Sequence, residues 1–251
     1  MSEMKEKILR TALRLFAQEG YEAVSISRIA GALGLSKGAL YRHYRDKRDV
    51  LDSIVREMER RDAEGAQEYA LPGAEETEAM AARRTEENGA QETRAGGQAA
   101  GNTSGAREEE PSGGAGFSGA QREALTNGAE TPAVTPRQLT EYARRMVRYW
   151  TRDEFAADFR RMLTLEQYRD PEMARMLRQY LTIGPMEYTA LLLENMGVSH
   201  ARERAAALCG GMYMLICAGD GAEDAAEYNA LADAHLERMR RELEWECAGI
   251  S

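Results

Sequence analysis

The chain has 251 residues, 43% of them hydrophobic, and a net charge of −9, enough material for one large or two modest domains. It holds no run of 18 apolar residues, and its first residues, MSEMKEKILRTALRLF, are charged and periodic, so neither a transmembrane helix nor a signal peptide is expected. Its three cysteines, Cys209, Cys217 and Cys247, form no CxxC or Cys/His cluster, which argues against a metal site and for a reducing cytoplasm.

Residues 4–19 read as a helix. Ile8, Leu9, Ala12, Leu13, Leu15 and Phe16 make one apolar stripe, and Gly20 stands where a helix C-terminus wants a glycine. Ser25 and Ser27 then open a short periodic run (Ile26, Ile29, Ala30, Leu33) that Gly34 ends. Ser36 restarts the chain as a second N-cap before Lys37-Gly38-Ala39-Leu40-Tyr41. Two short helices joined by a glycine-containing turn form a helix-turn-helix, whose second helix enters the DNA major groove. Asp46 is the expected cap of a fourth helix through Val50, Leu51, Ile54, Val55 and Met58.

Beyond residue 61 the composition changes. Residues 62–136 contain neither Ile nor Lys, only Tyr69 and Phe117 as aromatics, and 12 of the 23 glycines. Such a segment buries too little apolar surface to offset its ordering entropy, so 62–135 is expected to be a largely disordered acidic insertion. Order is expected to resume at Pro136. Leu139, Tyr142, Ala143, Met146, Val147 and Trp150 recur at helical spacing. A helix after Asp153 follows, then a longer one from Pro171 kinked at Gly184-Pro185, one capped by Ser199, and a last one from about residue 223. The expected fold is all-α: a helix-turn-helix domain over 1–61, the insertion, and a helical domain over 136–251.

Charge is unevenly distributed. Residues 1–61 carry 13 Lys and Arg against 9 Asp and Glu, and all four lysines of the chain lie there. Screening limits exposed charges to a reach of about 8–10 Å, so this local excess governs contact with a phosphate backbone.

The stretch VSISRIAGALGLSKGALYRHYRDKRDVL (residues 24–51) resembles the DNA-binding domain of TetR-family transcriptional regulators. The residues that carry the resemblance are Ser25, Ile29-Ala30, Gly34, Leu35, Ser36, Gly38, Leu40-Tyr41, His43-Tyr44 and Lys47, together with Phe16-Ala17-Gln18-Glu19-Gly20-Tyr21 before them. It covers about residues 4–58. The segment 136–248 resembles the family only in being helical and of suitable length, and the insertion departs from the family's usual short link. The resemblance implies a homodimer on double-stranded DNA, with an operator released by a small apolar effector.

Candidate DNA contacts follow. Lys37 stands at the N-terminal end of the second short helix, where recognition helices meet bases. Gly38 and Ala39 are small enough to let the backbone approach, and Ala39 suits a thymine methyl. By resemblance, Tyr41 and His43 reach phosphates, and Tyr44 occupies a position usually given to packing. Arg42 fits direct readout or solvated charge equally. Lys47 adds a cation to the free N–H groups of a helix start. Ser25 and Ser27 are N-cap candidates for the first short helix and Ser36 for the second, roles compatible with a phosphate contact, and Arg28 lies where the first short helix crosses the DNA backbone.

In the second domain Tyr142, Met146, Trp150, Phe155, Phe159, Met162, Leu163, Met176 and Tyr180 suit either an ordinary core or an apolar ligand pocket. Arg145, Arg148 and Glu166 are the charged groups available to orient a polar ligand atom. Met212, Tyr213, Ile216, Leu236, Met239 and Leu243 suit either a two-fold four-helix interface or an intrachain core. Gly210-Gly211 inside an apolar helix suggests close helix approach. No nucleophile elbow, phosphate-binding glycine loop or metal-ligand spacing occurs, so neither an enzyme nor a cofactor is expected.

Overall fold

The structure, a computed structural model, describes residues 3–69 and 134–249. Most of the expected insertion lies outside the described residues. Ten helices and no strand lie among them. They are α1 (Glu3–Glu19), α2 (Ile26–Ala32), α3 (Lys37–Tyr41), α4 (Lys47–Tyr69), α5 (Pro136–Arg152), α6 (Glu154–Glu166), α7 (Pro171–Leu181), α8 (Ile183–Asn195), α9 (Ala201–Gly219) and α10 (Ala225–Cys247). The protein is all-α, with an N-terminal helix-turn-helix head and a C-terminal helical body.

Side-chain caps set most of the helix starts. Ser25 accepts from the Arg28 N–H at 3.1 Å, Ser36 from Ala39 at 3.1 Å and Asp46 from Asp49 at 2.8 Å. Thr135 and Gln138 form a reciprocal capping box ahead of Pro136. Asp153, Asp170 and Asp224 cap α6, α7 and α10. Each such cap contributes about 1 kcal/mol. Gly20 (φ +86°) and Gly34 (φ +65°) adopt the left-handed conformation that ends α1 and turns α2 into α3.

Two starts differ from expectation. The chain breaks at Thr182 (φ −126°, ψ −86°), so α7 and α8 are separate helices, and Pro185 sits in the first turn of α8, where no N–H is needed. The N-cap of α9 is His200 in the left-handed region, without a side-chain cap bond, rather than Ser199.

Packing does not follow the expected domain boundaries. One continuous apolar cluster runs from Ile8, Phe16, Leu40 and Ile54 in the head to Val147, Phe155, Phe159, Met162 and Tyr180 in the body. Its seam is α6 lying along α1. A second cluster joins α5, α8, α9 and α10 through Leu139, Leu192, Leu193, Leu208, Leu236 and Leu243. Where α9 meets α10, a methyl group on Gly211 would lie 2.5 Å from His235 Nε2. The close approach expected of the glycine pair is therefore present at Gly211. At Gly210 a methyl group would meet nothing within 4 Å.

Candidate nucleic-acid interface and ligand cavity

In the head, Leu40 is wholly buried and fixes α3, leaving Lys37, Gly38, Tyr41 and Arg42 on the exposed side. Lys37 Nζ lies 5.8 Å from the Tyr41 ring centroid, one helical turn away. A methyl group on Gly38 would meet nothing within 4 Å, so the backbone there faces open space. Ser27 and Ser36 are exposed, and Ala39 and His43 are half-buried. Arg28 is exposed, but its guanidinium holds Glu19 at 2.7 Å.

Two candidate phosphate ligands are engaged within the protein. Tyr44 is buried, and its hydroxyl donates to the Lys5 carbonyl at 3.2 Å. Burial pushes its phenol up to about 12. Lys47 Nζ donates to the carbonyls of Tyr21 (2.9 Å) and Glu22 (3.3 Å) and lies 4.2 Å from the Tyr21 ring centroid. It supplies a cation to the carbonyl end of α1 and ties α4 to that loop. Both residues sit at positions the head's own folding uses.

The body contains a cavity among α5, α7, α8 and α9, with about 40 Å³ open to the centres of water-sized atoms. Tyr142, Met146, Trp150 and Tyr180 line it, as expected, and so do Met212, Tyr213 and Ile216, expected at a dimer interface. Leu139, Ala143, Leu181, Pro185, Tyr188, Thr189, Leu208 and Cys209 complete the wall, which carries no Asp, Glu, Lys or Arg. Cys209 Sγ lies 3.5 Å from Thr189 Oγ1, and burial pushes its thiol up. Tyr188, Thr189 and Cys209 escaped the sequence reading because they lie in apolar runs that look like ordinary core.

Phe155, Phe159, Met162, Leu163 and Met176 do not line the cavity; they belong to the cluster joining head and body. For the four on α6 the reason is that this helix serves the head: its apolar side packs on α1. Arg61, from α4, lies 4.4 Å over the Phe155 ring. Glu166 points to the head as well, its Oε1 accepting from the Tyr21 N–H at 2.7 Å. Of the residues expected at a dimer interface, Leu236, Met239 and Leu243 are buried within their own chain. The outer face of α9 and α10 instead exposes Ala206, Ala207, Gly210, Met214 and Cys217 with Leu231, Ala234 and Trp245.

A second short helix, anchored by buried Leu40, capped by serine and presenting Lys37, Tyr41 and Arg42 outward, defines a DNA-binding helix-turn-helix domain. Residues 8–54 match the family described as bacterial regulatory proteins, tetR family, and this domain is of that family. Over 51 residues the chain is 47% identical to the uncharacterized HTH-type transcriptional regulator YerO of Bacillus subtilis (strain 168), covering 20% of this chain and 18% of that protein. Over 52 residues it is 44% identical to the HTH-type transcriptional regulator AcrR of Shigella flexneri, covering 21% and 24%. The chain thus spans about a fifth of the length of these curated relatives. A bacterial regulatory protein in the tetR family from Rhodococcus RHA1 aligns over 97% of this chain and 98% of its own, at 16% identity and a TM-score of 0.49. No described helix is long and apolar enough to cross a membrane.

Proposed function

We propose that the protein is a ligand-responsive, homodimeric transcriptional regulator acting in the cytoplasm as a repressor. The observation that carries this is the exposed α3 face, with Lys37, Tyr41 and Arg42 on a capped recognition helix within a tetR-type domain. In this reading 1–61 is the DNA head, 62–135 a spacer and 136–251 the effector-binding and dimerisation domain. Two heads, paired by a two-fold axis, occupy successive major grooves about 34–36 Å apart. The outer face of α9 and α10, small and apolar at Ala207, Gly210, Met214, Leu231 and Trp245, suits a second copy.

The effector is a neutral, largely apolar molecule. A charged ligand would lose its hydration against a wall without a counter-charge. A water needs about 10–15 Å³ by the same measure, so a drug-sized ligand must widen the 40 Å³ cavity as it enters. That small size also favours a second reading, a tetR-type regulator that responds to a partner rather than to a small molecule.

Fluorescence anisotropy tests the DNA assignment, using DNA from the gene's own upstream region, random competitor and varied salt. The expected result is specific binding at two chains per site. Lys37→Ala should weaken it and, with one lysine lost from each of two chains, reduce the salt slope by about 2. Equal, weak binding to both DNAs refutes specific recognition.

A further inference from the structure

We infer that Glu166 is a positioning residue, an openable latch that sets the angle of the DNA-binding head against the body, a role that rests on the reading of the chain as a DNA-binding regulator. The side chain is 1% exposed. Its Oε1 accepts from the Tyr21 backbone N–H at 2.7 Å, across 145 residues of sequence. A Cβ on Gly20 would lie 2.7 Å from the same oxygen, so the carboxylate reaches Tyr21 only because residue 20 lacks a side chain. The partner loop is itself fixed: the Tyr21 carbonyl takes the ammonium of Lys47 from the start of α4. This hydrogen bond therefore joins the body to the same loop that holds the start of α4.

The setting makes this contact reversible. Glu166 is the last residue of α6, and Tyr21 follows the end of α1, so the carboxylate sits between two helix C-termini, whose partial charge is negative. Its Oε2 is buried and has no hydrogen-bond partner among the described residues. Desolvation and both helix ends oppose the docked carboxylate, and the charge-assisted bond to Tyr21 favours it. A ligand that prefers one arrangement with a coupling of about 5–150-fold would shift this balance. The path from the cavity is short: Tyr180 lines it and packs edge-on against Phe159 of α6 at 5.3 Å between centroids. Other described contacts cross the same seam: Arg48 donates twice to Glu172 at 2.6 and 2.7 Å, Arg14 lies 4.0 Å from Glu154, Arg61 lies 3.5 Å from Asp153 and over the Phe155 ring, and the Tyr149 hydroxyl reaches Met58 Sδ at 3.8 Å.

The test measures head orientation directly. Spin labels at Arg45→Cys in the head and Arg202→Cys on α9 are placed in a Cys217→Ser, Cys247→Ser background and diluted with unlabelled chain. Electron–electron resonance then reads the distance distribution within one chain. The unmodified latch should give one narrow distance. Glu166→Ala should broaden or shift it, and so should Glu166→Asp, which keeps the charge but shortens the arm by about 1.5 Å. Glu166→Gln, which keeps the acceptor, should restore it. If Glu166→Ala fails to fold, the Asp and Gln variants decide. An unchanged narrow distance in both Ala and Asp variants, or in Asp alone where Ala does not fold, overturns the latch. On operators selected from random DNA, the ratio of affinities for the selected half-site spacing and for one base pair more should fall toward one in Glu166→Asp, with single half-site affinity unchanged. If the unmodified chain selects no operator, the regulator reading falls, and the distance measurement still decides the latch.

Discussion

Gly210 and Gly211 are adjacent in sequence and opposite in circumstance, so alanine at each should act in opposite directions. Replacing an interior helical Gly by Ala contributes about 1 kcal/mol through backbone entropy. At Gly210 a methyl group meets nothing within 4 Å, so the single chain should keep the whole of that gain. At Gly211 the methyl group would lie 2.5 Å from Nε2 and 2.7 Å from Cε1 of His235. The imidazole must move, and overpacking of this kind costs about 1–3 kcal/mol. Gly211→Ala should therefore be neutral to about 2 kcal/mol destabilised, while Gly210→Ala is about 1 kcal/mol stabilised. Urea denaturation followed by far-ultraviolet circular dichroism, at a concentration where the chains are dissociated, separates the two. In a His235→Ala background the clash disappears, and Gly211→Ala should then stabilise by about 1 kcal/mol. If Gly211→Ala stabilises the unmodified protein as much as Gly210→Ala does, His235 is not wedged against α9 and the reasoning fails. The same Gly210→Ala variant bears on assembly: if a second copy closes on that face, the added methyl group should raise the dimer dissociation constant in sedimentation experiments.

Acid should weaken the tie between α4 and α7. The Arg48 hydrogen bonds hold the Glu172 carboxyl below its ordinary value of 4.5. Its stabilisation is therefore present above that value and lost as pH falls through the lower folded one, and Arg48→Ala should flatten that part of the stability profile, by under about 1 kcal/mol for so exposed a pair. Tyr44→Phe should cost about 1 kcal/mol by freeing the Lys5 carbonyl, yet leave DNA affinity unchanged where the protein is fully folded; a weakened affinity there would return Tyr44 to the phosphate contacts. In dissociated chains, thiol reagents should modify exposed Cys217 and Cys247 before Cys209, which lies in the cavity wall with its thiol pushed up by burial. Equal rates at all three would show that the cavity is open to solvent.

Local signals carried the head. Ser25, Ser36 and Asp46 are capping residues at the spacing a helix start requires, Gly20 and Gly34 take the φ that few other residues tolerate, and the apolar stripe of α1 is the face it buries. None of these depends on distant chain. Assignments that require knowing which neighbour a face meets were beyond periodicity. Phe155, Phe159, Met162 and Leu163 share one helix face whether that face meets a ligand or α1, and it meets the head cluster. Met212, Tyr213 and Ile216 read equally as interface or intrachain core, and they line the cavity. Lys47 illustrates the same limit within the motif itself. A cation at a helix start is attracted by a phosphate or by the carbonyl end of another helix, and only the fold brings the Tyr21 carbonyl, just past the end of α1, within 2.9 Å. Glu166 is the sharpest case. A lone glutamate at the end of an amphipathic helix has no sequence signature for burial, because its partner, an amide proton at Tyr21, exists only once α6 lies along α1. The groups that join head to body are therefore the ones a linear reading is least able to see.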